Sequence, residues 1–176
     1  MKQQFILQPI LKNNEVILIP LKEIDFEDLF LVASDPLIWE QHPNKDRYKR
    51  EVFQTFFDGA MQSGGAFLIS DSQTKKIIGS SRFYDLATDH IKIGYTFFSR
   101  DCWGKSFNKS TKALMLHHAF QFFDFAIFHV GATNFRSQKA MEKLGAIKIG
   151  EEEVAYHGEA VKLNFVYRID KQVWIK

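Results

Sequence analysis

The chain has 176 residues, 45% hydrophobic and 25% charged, which is enough for one well-cored globular domain. Lys+Arg number 23 against 21 Asp+Glu, and the resulting net charge of +2 is too balanced to hold a nucleic-acid backbone over a broad face. The single cysteine, Cys102, excludes an internal disulfide and a thiolate metal cluster, and no stretch nears the ~20 apolar residues of a membrane span.

A reducing cytoplasm is therefore the expected location, with neither nucleic acid nor membrane as partner and no bound metal. The opening MKQQFILQPILKNNEV is too interrupted by Gln8 and Pro9 to form a signal-peptide core. Glu15 to Leu21 is a β-branched run ending near Pro20 and predicts a strand. Asp25 to Ser34 predicts a helix capped by Asp25, with Phe26, Leu29, Phe30 and Ala33 on one face and Pro36 beyond its end. Asp46 to Gln62 repeats that pattern with Val52, Phe53, Phe56, Phe57 and Ala60, closed by Gly64 and Gly65.

Ala66 to Ser70, Lys76 to Asp85 and His90 to Phe98 predict three consecutive antiparallel strands, the first two joined by the polar DSQTK. Phe107 to Phe123 predicts a helix with Ala113, Leu116, Phe120 and Phe123 along one stripe, followed by a strand over Phe125 to Thr133. Ser137 to Gly145 is a short helix with a glycine stop, and AIKIGEEEV and AVKLNFVYRI supply two more strands. The order β-α-α-β-β-β-α-β-α-β-β, without repeat or linker, describes one mixed α/β domain spanning residues 1–176, with most of its 18 phenylalanines in the core.

Between the third of these strands and the long helix stands DCWGKSFNKS, Asp101 to Ser110. A loop entering a helix presents unpaired N–H groups and about half a positive charge, so it suits an anion such as phosphate. Gly104 leaves room for a ligand, Ser106 can cap the helix or donate a hydroxyl, and Lys105, Lys109 and Lys112 add charge. A Walker P-loop would need glycine where Ser99 stands, which removes that reading. An anion site and an ordinary helix cap fit the loop alone equally well.

IGYTFFSRDCWGKSFNKSTKALMLHHAF, from Ile93, and VGATNFRSQKAMEKLGA, from Val130, resemble the acetyl-CoA-binding half of the GNAT N-acetyltransferases, and in particular the branch of ribosomal-protein N-terminal acetyltransferases. The order of elements, with LIPLKEIDFEDLFLVASDP near the start, is also similar to that family. The resemblance implies a mostly antiparallel sheet flanked by helices, with central strands splayed around the cofactor. It implies acetyl-CoA as acetyl donor, held by the strand residues Thr96, Phe97 and Phe98, by the loop and helix residues Trp103, Gly104, Lys105, Ser106, Phe107 and Asn108, and by Asn134, Arg136 and Ser137. In the family's pyrophosphate loop a basic or amide residue, a glycine and a small residue occupy positions that here read Asp101, Gly104 and Ser106, with Arg100 as a substitute cation. Asn134 and Ser137 match the asparagine and the small or hydroxyl residue three positions on, a spacing that plain helix capping also satisfies.

The implied reaction is direct attack by a neutral primary amine, from a protein N-terminus or a small molecule, on the acetyl carbonyl without a metal. A strand N–H near Thr96 to Phe98 stabilises the oxyanion, and Ser137, with Tyr95 in reserve, protonates the departing thiolate. Relatives carry a glutamate base two residues before the Gly-Tyr of this strand, where this chain has Lys92. Asp89, His90, Tyr84 and Glu151 to Glu153 are the replacement candidates, and the adjacent His117 and His118 cannot share a helix face to bind metal. Without an evident base, weakly basic amines should be the better acceptors, because an α-amine of pKa ~8 costs about 1.4 kcal/mol to deprotonate at pH 7 and an alkylamine near ~10.4 about 4.6 kcal/mol. The competing reading is a catalytically inert acyl-CoA-binding sensor or scaffold. As monomer or homodimer, the protein would have acetyl-CoA and an acceptor amine as its partners.

Overall fold

The computed structural model describes residues 4–174; the ends of the single-domain span, including the first residues of the opening stretch, lie outside the described residues. In chain order the elements are β1 (Leu11–Lys12), β2 (Val16–Pro20), α1 (Phe26–Ala33), α2 (Arg50–Ser63), β3 (Ala66–Asp71), β4 (Ile77–Tyr84) and β5 (His90–Phe98). They continue as α3 (Phe107–Ala119), β6 (Phe125–Gly131), α4 (Phe135–Leu144), β7 (Ile147–Val154), β8 (Lys162–Asp170) and α5 (Lys171–Trp174). The strands form one sheet in the order β1-β2-β3-β4-β5-β6-β8-β7, antiparallel at every step except β5–β6.

Helices cover both faces, so the central strands are apolar on both sides rather than alternating. In β3, Phe67 and Ile69 join a core with Met115, Leu116 and Ala119 of α3 and Met141 of α4. Their neighbours Ala66 and Leu68 join the second core, with Leu29 and Ala33 of α1 and Phe53, Phe56 and Phe57 of α2. Phe53, Phe67 and Phe83 are fully buried, each worth about 1.5–3 kcal/mol of apolar burial.

Helix ends differ from the sequence reading for local reasons. Asp25 does not cap α1; its Oδ2 accepts from Lys22 N at 2.8 Å and closes the preceding 3-10 turn. Helix α2 begins at Arg50 rather than Asp46, because residues 45–48 form a turn that buries Arg47. Helix α3 stops at Ala119, where Phe120 and Phe123 turn into the core instead of extending the stripe. Gly64 (φ +59°) and Gly145 (φ +86°) terminate α2 and α4 in the left-handed conformation, as their glycines predict.

Candidate active site

The site is built where β5 and β6 part. They pair only at His90–Phe125, Ile91–Ala126 and Lys92–Ile127, yet β5 continues to Phe98 and β6 to Gly131. Beyond Lys92 each strand lacks its neighbour on the inner side, which leaves backbone groups for an extended amide chain to pair with. On its other edge β5 carries a bulge. Ser80 faces Phe97 and Arg82 faces Gly94, so Tyr95 and Thr96 together oppose Ser81, and Tyr95 takes the left-handed φ of +54°. The buried Arg82 supports this turn: its guanidinium lies 3.9 Å from the Tyr95 ring centre and donates to Gly59 O at 3.0 Å. Burial pulls the Arg82 pKa down to about 10, so it remains a cation at neutral pH.

Behind the bulge, on the α3 side, stands Lys112. Its Nζ is 2.5 Å from Thr96 Oγ1 and 3.2 Å from Ser81 Oγ, and 5.7 Å from the Phe128 ring centre on β6. The amine thus bridges the diverging strands. Burial alone pulls its pKa down to about 7.

The loop from β5 to α3 passes through a 3-10 turn, Arg100–Cys102, then Trp103 and Gly104, whose φ of +75° suits glycine. No side chain caps α3, so its first amides stay open. Ser106 bonds instead to the Glu15 carboxylate, as does Ser110. Trp103 lies under the Arg136 guanidinium at 4.2 Å, joining the loop to the start of α4, and its Nε1 donates to Phe98 O at 3.3 Å. Lys105 is exposed, and Asn108 Oδ1 is buried without a hydrogen-bond partner among the described residues. Arg100 pairs with Asp35, whose carboxyl it holds below its ordinary pKa. The Asn134 side chain caps α4, accepting from Ser137 N at 3.1 Å. Phe97 and Phe98 are committed to the two cores and Phe107 packs on the first, which leaves the strand pair only its backbone for a ligand.

Across the sheet from α3 opens a pocket of about 350 Å³, lined by Tyr84, Lys92, Tyr95, His129, Glu152 and Tyr156 among others. Ile91 and Ile93 belong to the α3 core, so strand alternation turns Lys92 to this opposite face. Tyr84 and Tyr156 flank Tyr95 edge-on at 5.1 and 5.3 Å between ring centres. Burial raises the pKa of all three phenols, which therefore stay protonated and uncharged. Lys92 pairs with Asp85 at 3.1 Å. The segment carrying Tyr156 is fastened from below: Glu159, 9% exposed, meets Arg47, 2% exposed, with Arg47 Nε at 2.8 Å from its Oε1.

Of the proposed replacement bases, Tyr84, Glu152 and Glu153 line the pocket. His90 and Asp89 pair with each other at 2.8 Å, with His90 stacked on Phe125 at 4.8 Å, and neither lines it. Glu151 is engaged by Lys148 at 2.7 Å. Sequence reasoning missed two groups, Lys112 as a buried amine and His129 in the pocket. Only the alternation of FAIFHVG, which turns His129 away from Phe128 and Val130, hinted at the second.

Residues 15–147 match the acetyltransferase (GNAT) domain. The chain belongs to the GNAT acetyltransferase family. A search of curated protein sequences finds no match. Among solved structures, a GCN5-related N-acetyltransferase from Brucella melitensis is 18% identical over 96% of this chain and 81% of its own, with a TM-score of 0.81. Spermidine N-acetyltransferase from Vibrio cholerae, solved with CoA and spermine, is 14% identical over 93% of this chain and 100% of its own, with a TM-score of 0.70. Mycobacterium smegmatis RimJ, solved with CoA-disulfide, is 15% identical over 96% and 89%, with a TM-score of 0.71. At these identities the structures show a shared fold. The sheet, the parted strands and the flanking helices of this GNAT domain are the mixed α/β architecture that the sequence resemblance implied.

Proposed function

We propose that the protein transfers the acetyl group of acetyl-CoA to a primary amine by direct attack. One observation carries the reading: the gap between β5 and β6 has the uncapped α3 N-terminus at its mouth and a pocket on the opposite face of the sheet. Two substrates can therefore meet from opposite sides. The open amides of α3 and the cation of Lys105 suit a pyrophosphate, and a Cβ built on Gly104 would touch no protein atom, so the space above it is free. Trp103, Phe107, Asn108 and Arg136 would frame the cofactor, and the backbone of Thr96 to Phe98 would pair with its amide chain. Glu15 is a carboxylate at the same helix end, tied down by Ser106 and Ser110. Ser106 thus contributes through its backbone rather than its hydroxyl.

Acetyl-CoA supplies the acyl group as a thioester. A strand N–H by the Tyr95–Thr96 bulge holds the oxyanion, and Ser137, at the start of α4, returns a proton to the sulfur. Tyr95 lines the acceptor pocket instead, on the face away from α3. The acceptor is a protein N-terminus or a small amine, a reading supported by the spermidine N-acetyltransferase and the RimJ protein among the structural neighbours.

Titration calorimetry with acetyl-CoA, followed by CoA release across α-amines, polyamines and amino sugars, tests the reading. Binding and acceptor-dependent CoA release are expected. Tight binding without release for every acceptor would leave an acyl-CoA sensor, and absence of binding would overturn both readings.

A further inference from the structure

The face that opens into the pocket lacks the carboxylate base that the resemblance leads one to expect at position 92. Lys92 stands there, paired with Asp85 at 3.1 Å, and a cation cannot accept a proton. The adjacent strand supplies another group on the same face. Lys92 pairs with Ile127 in register, and His129 follows two residues later on β6. Gly131 of β6, Asn164 of β8 and Glu152 of β7 are aligned across the sheet, so Glu152 rises on that face as well.

The two side chains meet. His129 Nε2 lies 3.2 Å from Glu152 Oε2, with the imidazole only 3% exposed. Its other nitrogen, Nδ1, is buried and has no hydrogen-bond partner among the described residues. A buried nitrogen left unpaired costs about 1–3 kcal/mol, and such a cost is offset when a ligand supplies the missing partner. Glu152 selects the tautomer. An ionised carboxylate only accepts, so Nε2 carries the hydrogen and the lone pair falls on Nδ1.

We propose that His129 is the general base that takes the proton from the acceptor amine, and that Glu152 is the positioning residue that fixes its tautomer. The inference rests on the acetyltransferase reading above. The amine nitrogen bonds to the acetyl carbon as its proton passes to His129 Nδ1, the carbon–sulfur bond breaks, and the thiolate is protonated from the α4 side. His129 then returns its proton to solvent.

The electrostatics agree. The charged groups that bear on the ring are Lys92 of β5, Asp85 beyond β4 and Glu152 of β7, with the neutral phenols of Tyr84, Tyr95 and Tyr156 in the same pocket. Burial, then Lys92, lowers the imidazole pKa below its ordinary 6.5, while Glu152 and Asp85 oppose them. The ring is therefore neutral at pH 7 and ready to accept a proton. The amine must still arrive neutral, because an imidazole this weakly basic cannot draw the proton from an alkylammonium near pKa ~10.4, so the preference for weakly basic acceptors stands.

The test is the pH dependence of kcat/KM for wild type, His129→Gln and Glu152→Gln, with acetyl-CoA affinity measured alongside. Wild type should show an acidic limb below pH 6.5. His129→Gln should lose that limb and about 10²-fold or more in kcat, with acetyl-CoA affinity unchanged. Glu152→Gln should move the limb to lower pH and reduce kcat by less. A His129→Gln enzyme that keeps both the limb and its kcat would overturn the assignment while leaving the transferase reading intact; wild type inactive with every amine would overturn that reading itself. Nitrogen NMR of the ring gives a measure independent of turnover. A neutral Nε2–H tautomer at pH 7 is expected, and an imidazolium or an Nδ1–H tautomer would refute the proposal.

Discussion

Lys112 Nζ and Thr96 Oγ1 lie 2.5 Å apart, joining the middle of α3 to the bulge of β5 within the core. Burial lowers the amine's pKa from 10.5 to about 7. The unfolded chain therefore binds a proton between pH ~10.5 and ~7 that the folded protein does not, and stability rises with pH across that window. The full effect is on the order of 5 kcal/mol, at about 1.4 kcal/mol per pH unit. The phenols and Cys102, whose pKa is pushed up to about 11, act oppositely above pH 9. Urea unfolding of wild type should thus show stability climbing between pH 7.5 and 8.5, and Lys112→Met should flatten the climb. Parallel profiles for the two proteins would show that the amine stays charged in the fold.

Glu159 and Arg47 tie the segment carrying Tyr156 to the turn before α2. Breaking one side of a buried ion pair costs about 3–5 kcal/mol, because the other charge is left in the interior. Glu159→Ala should lower Tm and raise KM for the acceptor, while the affinity for acetyl-CoA, on the other face, stays within twofold or so. Equal losses for both substrates would mean that the pocket wall and the cofactor side are not separate.

Gly104 sits at φ +75° with free space where a Cβ would stand. A Cβ there meets nothing within 4 Å among the described residues, so the main internal cost of a valine is backbone strain of roughly 1–2 kcal/mol. Gly104→Asn accepts the left-handed conformation better yet still intrudes on a ligand. Both variants should lose acetyl-CoA affinity in calorimetry, with Gly104→Val also losing Tm. Full affinity in a folded Gly104→Asn protein would remove the loop from the cofactor site.

Ser137 receives the α4 cap through its backbone N–H, which leaves its hydroxyl uncommitted to that cap. Ser137→Ala should reduce kcat about 10²-fold, with acetyl-CoA affinity nearly unchanged, because the proton is needed only as sulfur departs. Tyr95→Phe should chiefly affect the acceptor, since Tyr95 lines that pocket. If single-turnover chemistry is unaffected in Ser137→Ala, the sulfur draws its proton from elsewhere.

The sequence by itself determined the order of the elements from β2 to β8 and the loop that opens α3. These depend on local periodicity and on glycine conformation, as the left-handed Gly104 and Gly145 illustrate. It also carried the family, because TNFRSQKAMEKLG and DCWGKS are contiguous strings. Helix ends were less legible. The turn at residues 45–48 forms around Arg47, whose partner Glu159 lies 112 residues away. Of the proposed acceptor pocket, Tyr84, Glu152 and Glu153 were legible as candidates, while their meeting with His129 was decided by tertiary structure. His129 and Glu152 come from β6 and β7, with β8 between them in the sheet, and Lys112, Thr96 and Ser81 come from three different elements. A histidine in an apolar strand or a lysine within a helix reads as ordinary until strand order and burial bring each to its partner. Strand order follows from non-local pairing, and the shifted proton affinities follow from desolvation in the assembled core, neither of which a local window of sequence contains.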